Sequence, residues 1–170
     1  MEKNHGDYYR ELRKKEDPKL SRMKAVEKMD TVSERRLEEI ELGNSTPHPE
    51  EILEMAKAYK SPELCNYYCS NVCAIGKVSV PEVKLASLPE IVLKMVATLN
   101  QLENERNCLI QITEDGVIAD DEISDFVRIQ KELDKILITA NALKLWTDST
   151  ISQGKLNREL LQEYQEKSKE

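Results

Sequence analysis

Apolar residues recur along this chain at spacings of three and four, the period of helices that each bury one side. Tyr8 to Lys15 reads as a short amphipathic helix, with Tyr9 and Leu12 inward and Arg10, Arg13, Lys14 and Lys15 solvated; Asp17-Pro18 breaks it. A second helix starts near Ser21 and buries Ala25, Val26 and Met29. Ser33 caps a third, with Leu37 and Ile40 on its core face and Gly43 at the left-handed C-terminal position. Arg36 stands where a capping-box glutamate would, so half of that box is present. Thr46-Pro47-His48-Pro49 is a stiff connector into a fourth helix, Pro49 to Tyr59, that buries Ile52, Leu53, Met55 and Ala56. Ser61 caps a fifth helix with Pro62 in its first turn, running to about Cys73.

Ala74 to Leu85, with Gly76 and Pro81, reads as a linker, after which the elements lengthen. Ser87-Leu88-Pro89-Glu90 is a capping box. Leu88, Val92, Met95, Leu99, Leu102, Arg106 and Leu109 follow at alternating spacings of four and three, and Phe126, Ile129, Leu133, Ile136, Ala140 and Leu143 do the same. Two such seams joined by a short turn predict a long antiparallel helical hairpin with coiled-coil-like packing. Each helix of roughly 25 residues is about 38 Å long. Lys155 to Lys167 reads as a short last helix, with Leu156, Leu160 and Tyr164 on one side. The expected division is 1–75, a linker 76–86, and an oligomerisation or regulatory domain 87–170.

Composition agrees with an all-α protein: 39% hydrophobic and 34% charged residues with only 5 Gly and 6 Pro. A single Phe and a single Trp leave the core to Leu, Ile, Val and Met. No apolar run approaches the roughly 18 residues of a membrane span. The first residues, MEKNHGDYYRELRKK, lack the apolar region of a signal peptide, so the expected location is cytoplasmic, with no membrane partner. The net charge of −7 is uneven: residues 87–170 hold 10 basic and 16 acidic side chains, whereas 10–36 hold 10 basic and 6 acidic. A basic N-terminal face beside an acidic C-terminal half is compatible with nucleic-acid binding by the first half alone.

The layout of Leu20 to Gly43, two short helices around a tight turn, is that of a helix-turn-helix, a unit that presents its second helix to the DNA major groove. Five short helices with this turn between the second and third resemble the Cro/lambda-repressor type, or xenobiotic-response-element (XRE), family of regulators. The resemblance covers about Tyr8 to Cys73 and is carried by Leu20-Ser21, Ala25-Val26, Met29, Val32-Ser33, Leu37, Ile40-Glu41, Gly43 and the Pro49–Tyr59 helix. The turn Asp30-Thr31-Val32 is one residue longer than is usual in the family. With LCNYYCSNVC and the acidic hairpin, the whole chain is similar to a group of clostridial regulators. The resemblance implies a five-helix lambda-repressor-like domain. It also implies a sequence-specific transcriptional regulator that binds double-stranded DNA as a homodimer. Ser33, Glu34, Arg35 and Arg36 would then open the recognition helix, with Arg35 and Arg36 placed for guanine edges. Arg22 and Lys24 would reach phosphates, as would Asn44, Ser45 and Thr46.

Four carboxylates, Glu34, Glu38, Glu39 and Glu41, lie on or beside that helix, and Glu38 and Glu39 are spaced to pair with Arg35. The alternative is therefore a protein–protein interaction module that keeps the fold without DNA binding. Arg22, Lys24, Arg35 and Arg36 gathered on a positive face favour the first reading; interleaved Glu–Arg pairs favour the second.

Cys65, Cys69 and Cys73 line one drifting helix face. Packing by small apolar thiols is the plain reading, with no cofactor. A zinc ion or an iron–sulfur cluster on these three is the alternative, but a fourth zinc ligand is missing nearby and the spacing matches no common ferredoxin run. Gln111 to Glu122 has the outline of a calcium loop, with Asp115, Gly116, Ile118 and Glu122 in register, but Gln111 and Thr113 replace oxygen-rich ligands; a helix-connecting turn is the simpler reading. His5 and His48 stand in no nucleophile-and-base arrangement, there is no phosphate-cradling glycine loop, and an enzyme is not expected.

Overall fold

The computed structural model describes residues 4–16, 20–112 and 117–167, and among these every regular element is a helix. The chain divides into two compact units, one of residues 1–82 with 147–170, the other of residues 83–146.

In the first unit, α1 (His5–Glu16), α2 (Arg22–Val26), α3 (Glu34–Glu41), α4 (Pro49–Tyr59) and α5 (Glu63–Asn71) enclose one core. Tyr9 and Leu12 enter it from α1, Ala25 from α2, Leu37 and Ile40 from α3, Ile52, Met55 and Tyr59 from α4, and Leu64, Tyr67 and Tyr68 from α5. Val26 and Met29 pack at its edge. Ser21 and Ser33 cap α2 and α3 by accepting the N–H groups of Lys24 and Arg36. Asp17-Pro18 lies outside the described residues.

Three expectations here are corrected. Arg13 is not solvated but 5% exposed. Leu53 is not a core residue but half exposed. On a 3.6-residue period Ile52, Met55, Ala56 and Tyr59 form the inward stripe, and Leu53 stands about 100° from Ile52. Ser61 does not cap α5. Lys60 takes a left-handed conformation (φ 54°), the chain folds back so that Ser61 N–H reaches Ala56 C=O, and the Ser61 hydroxyl donates to Tyr59 C=O instead.

Two glycines mark close approaches. A Cβ on Gly6 would stand 2.5 Å from the Glu41 carbonyl oxygen, so its absence lets α1 pack on the end of α3. A Cβ on Gly76 would stand 2.1 Å from the Cys69 carbonyl oxygen. Gly76 opens a single further turn, α6 (Gly76–Ser79), inside the expected linker.

The second unit contains α7 (Leu88–Ile112) and most of α8 (Ile123–Ser152). Arg128 of α8 donates two hydrogen bonds to Glu105 of α7, at 3.0 and 2.8 Å. The inward positions differ from the expected seams. On α7 the buried and half-buried residues include Leu88, Ile91, Met95, Thr98, Leu102, Glu105, Cys108, Leu109 and Ile112; Val92, Leu99 and Arg106 are exposed. On α8 they include Phe126, Ile129, Glu132, Ile136, Thr139, Leu143 and Leu145, while Leu133 and Ala140 are exposed. Polar groups sit inside because each has a partner: Thr98 and Thr139 donate to their own helix at Lys94 and Lys135, Glu105 takes Arg128, and Glu132 takes Lys135.

In the expected calcium loop, Thr113, Asp115 and Gly116 lie outside the described residues; Glu122 accepts the Ala119 N–H and leads into α8. The last helix, α9 (Arg158–Lys167), buries none of its residues.

Candidate nucleic-acid interface

The predicted reading helix is α3, and its position is set by carboxylates that hydrophobic patterning passes over. Glu41 has a fully buried side chain. It accepts from Arg13 Nε and Nη2 at 2.6 and 2.9 Å and from Arg22 Nε at 2.9 Å. One carboxylate therefore joins α1, α2 and α3. Arg13 is itself only 5% exposed and also donates to the Leu20 carbonyl. Its guanidinium is held firmly protonated, first by the hydrogen bond to Glu41.

A second clamp holds the turn that precedes α3. Glu54, projecting from α4, accepts the N–H groups of Asp30 and Thr31 and the Thr31 hydroxyl, at 2.9 to 3.0 Å. The Thr31 N–H, above all, draws the Glu54 carboxyl below the usual carboxylate range. A third clamp joins α3 to α4. Arg36 donates to both oxygens of Glu51 at 2.7 and 2.8 Å, to the Ser45 hydroxyl, and to the Thr46 carbonyl at 3.1 Å. Glu51 also accepts the His48 N–H at 2.7 Å, and Arg36 beside it holds its carboxyl low.

These networks divide the predicted contact residues into two groups. Arg22, Arg36 and Ser45 are engaged inside the domain; Arg22 also bonds Glu38 at 2.7 Å. Lys24, Glu34, Arg35, Asn44 and Thr46 are exposed. Ser33 is exposed as well, but its hydroxyl serves as the α3 cap. The Arg35 side chain is 89% exposed and makes one long contact, 3.3 Å, to Glu39. Arg35 and Lys24 are thus the predicted cations whose charge is most available.

The residues that sequence reasoning missed are Arg13, Glu41, Glu51 and Glu54. A signal existed for two of them. Tyr9, Leu12 and Arg13 stand at i, i+3 and i+4, and so do Leu37, Ile40 and Glu41, so each charge continues an inward stripe. A charge in that register requires a buried counter-charge.

Elsewhere in the first unit, Cys65, Cys69 and Cys73 are half-buried free thiols packed against the core, and burial pushes the Cys65 thiol up. Among the described residues no three His, Cys, Asp or Glu side chains are grouped closely enough to hold a metal ion, and no helix is long and apolar enough to cross a membrane. A cleft of about 280 Å³ is lined by Lys28, Lys60 and Lys155 with Arg13 and Tyr59. Each of the three lysines follows the end of a helix, α2, α4 or α8, where unpaired carbonyls concentrate negative charge and favour a cation.

In comparisons with known proteins, no family model, no curated protein and no solved structure matches the chain.

Proposed function

We propose that the chain is a DNA-binding transcriptional regulator of the Cro/lambda-repressor type. In this reading α2 and α3 are the helix-turn-helix pair, and α7 and α8 form an antiparallel hairpin. The observation that carries it is the mounting of α3: Glu41, Glu54 and Arg36 fix the helix and its preceding turn to three neighbouring helices, while its outer edge, with Arg35, is left unpacked. A rigid helix with one exposed, fork-shaped donor at its start, held only by a 3.3 Å contact to Glu39, suits the reading of a guanine edge in the major groove. Lys24 supplies a phosphate contact, and Asn44 and Thr46 supply polar groups just beyond α3. Two copies place two α3 helices against half-sites about 34 Å apart.

The second reading, a protein-interaction module without DNA contacts, is favoured by a different observation: Arg22 and Arg36 are both neutralised by carboxylates, and Glu34 and Glu38 share the outer edge with Arg35. Selection from a genomic DNA library with the purified chain at low salt separates the two. The DNA reading expects an enriched site whose binding weakens with salt only gently. With one phosphate-contacting cation, Lys24, per copy and two copies bound, the slope of log K on log salt is about −1.8. Absence of any enriched site sinks the DNA reading and leaves the second.

A further inference from the structure

The cleft lined by Lys28, Lys60 and Lys155 lies within the first unit, and the mounting of α3 does not use its lysines. Four segments build it. Arg13 comes from α1, Lys28 from the residues after α2, Tyr59 and Lys60 from the end of α4, and Lys155 from the residues after α8. The Ser152 hydroxyl donates to the Lys60 carbonyl at 3.2 Å and ties the end of α8 to the end of α4. All three lysines are exposed, and none forms an ion pair with a described residue. Among the described residues no carboxylate lines the cleft, although the chain carries 32 acidic against 25 basic side chains. Carbonyls at a helix end favour a lysine there. They do not account for three such lysines meeting in one cleft with no carboxylate between them. Tyr59, in the same lining, is 2% exposed, and its hydroxyl has no hydrogen-bond partner among the described residues. Buried polar groups are almost always paired, so this hydroxyl calls for a ligand or a water.

We infer that this cleft is a binding site for a diphosphate group, held by the ammonium groups of Lys28, Lys60 and Lys155. The inference goes beyond the DNA reading and does not depend on it. Two properties select the ligand. The first is size. A volume of about 280 Å³ equals about nine waters at 30 Å³ each, the bulk of two linked phosphates. A larger body attached to them extends past the exposed lysines into solvent. The second is the form of the charge. Planar carboxylates are met best by the planar fork of an arginine. The one guanidinium in the described lining, Arg13, already spends its fork on Glu41. What remains is three compact ammonium charges on flexible stems, arriving from three segments, and these suit the many oxygens of a tetrahedral polyanion. Arg13 serves as a fixed floor, since Glu41 and the Leu20 carbonyl hold it in place. A bound diphosphate joins the ends of α2, α4 and α8 and so stabilises the first unit.

Isothermal titration calorimetry of the full chain with sodium pyrophosphate tests this, in about 0.1 M salt so that diffuse attraction is screened. One saturable site per chain is expected. Lys28→Ala and Lys155→Gln should each weaken it about tenfold, the loss of one charged hydrogen bond. Lys155→Arg should restore binding, and Lys94→Ala, which removes an equal charge from the second unit, should leave it unchanged. Circular dichroism checks the fold of each variant, and Lys155→Gln, beyond the end of α8, carries the test should Lys28→Ala fold poorly. Adenosine diphosphate separates the two sources of this chemistry. Binding as tight as that of pyrophosphate marks the diphosphate end of a nucleotide, and failure to bind marks the free ion; either supports the site. Orthophosphate or citrate binding as tightly as pyrophosphate overturns the inference, since charge alone then suffices. Absence of saturation below about 1 mM pyrophosphate overturns it too, as does binding that survives both lysine variants. If both variants also weaken duplex DNA binding and pyrophosphate competes with the duplex, the lysines hold a DNA backbone and the inference fails. A pyrophosphate site in a chain without any enriched DNA sequence refutes only the functional reading.

Discussion

Glu41→Ala should cost far more than its single carboxylate suggests, because of what it leaves behind. Glu41 is fully buried and accepts three hydrogen bonds from two guanidiniums. Arg22 retains Glu38 and is a quarter exposed, so it adapts. Arg13 is 5% exposed, and without Glu41 it keeps only the Leu20 carbonyl. An uncompensated buried charge of this kind costs about 3–5 kcal/mol. For a chain of this size that corresponds to a fall in melting temperature of about 6–20 °C, at 2–4 °C per kcal/mol. The double variant Arg13→Met with Glu41→Leu removes both charges and restores volume. Such replacements are neutral or stabilising by about 1–4 kcal/mol, offset here by about 1–3 kcal/mol for the orphaned Leu20 carbonyl, so the double variant should lie near wild type. Urea unfolding followed by circular dichroism provides the comparison. If Glu41→Ala loses less than about 1 kcal/mol, or if the double variant loses as much as the single, the buried-charge argument is wrong.

Four further outcomes follow from the same geometry. Arg35→Ala should reduce binding to an enriched DNA site by roughly 5- to 150-fold, the loss of about 1–3 kcal/mol of base recognition, and leave stability within about 0.5 kcal/mol of wild type, as a filter-binding titration and a melt would show. Arg36→Ala should instead lower stability by about 1.5–3 kcal/mol in the same melt, because its charged hydrogen bonds to Glu51 lie within the domain. The Glu51 and Glu54 carboxyls are held low in the folded state, so their stabilisation is complete above the unfolded value of about 4.3 and is lost as pH falls through their folded values; Glu51→Gln should flatten that acid limb in a pH series of melts. Gly76→Ala drives a Cβ into the Cys69 carbonyl and should destabilise by about 1–3 kcal/mol or open the α5–α6 turn, read by hydrogen exchange at residues 71–80.

Parts of the candidate interface were legible from residue order. The Ser33 cap, the left-handed Gly43 and the Pro49–Tyr59 helix all depend on neighbours within one turn, and sequence carries those. The division of the cations was not legible. Arg36 has Glu38 and Glu39 close in sequence, yet its partner is Glu51, fifteen residues on; Arg13 meets Glu41 across twenty-eight. Long, flexible side chains select partners by what tertiary packing brings within reach, and buried pairs outrank exposed local ones because a lone buried charge is so costly.

Periodicity alone therefore determined an all-helical chain and the inward stripes of α1 and α3, since a helix needs only local hydrogen bonds and one apolar side. The expected seams placed Met95, Leu102, Leu109, Phe126, Ile129, Ile136 and Leu143 correctly, and only the tertiary structure decided the positions between them. Val92 and Leu99 make as good a seam as Ile91 and Thr98 by spacing, and the two choices differ by about 100° of rotation. What separates them is the opposite helix, where Arg128 meets Glu105 and Ile129 is almost wholly buried. Position along one helix cannot encode what its neighbour supplies.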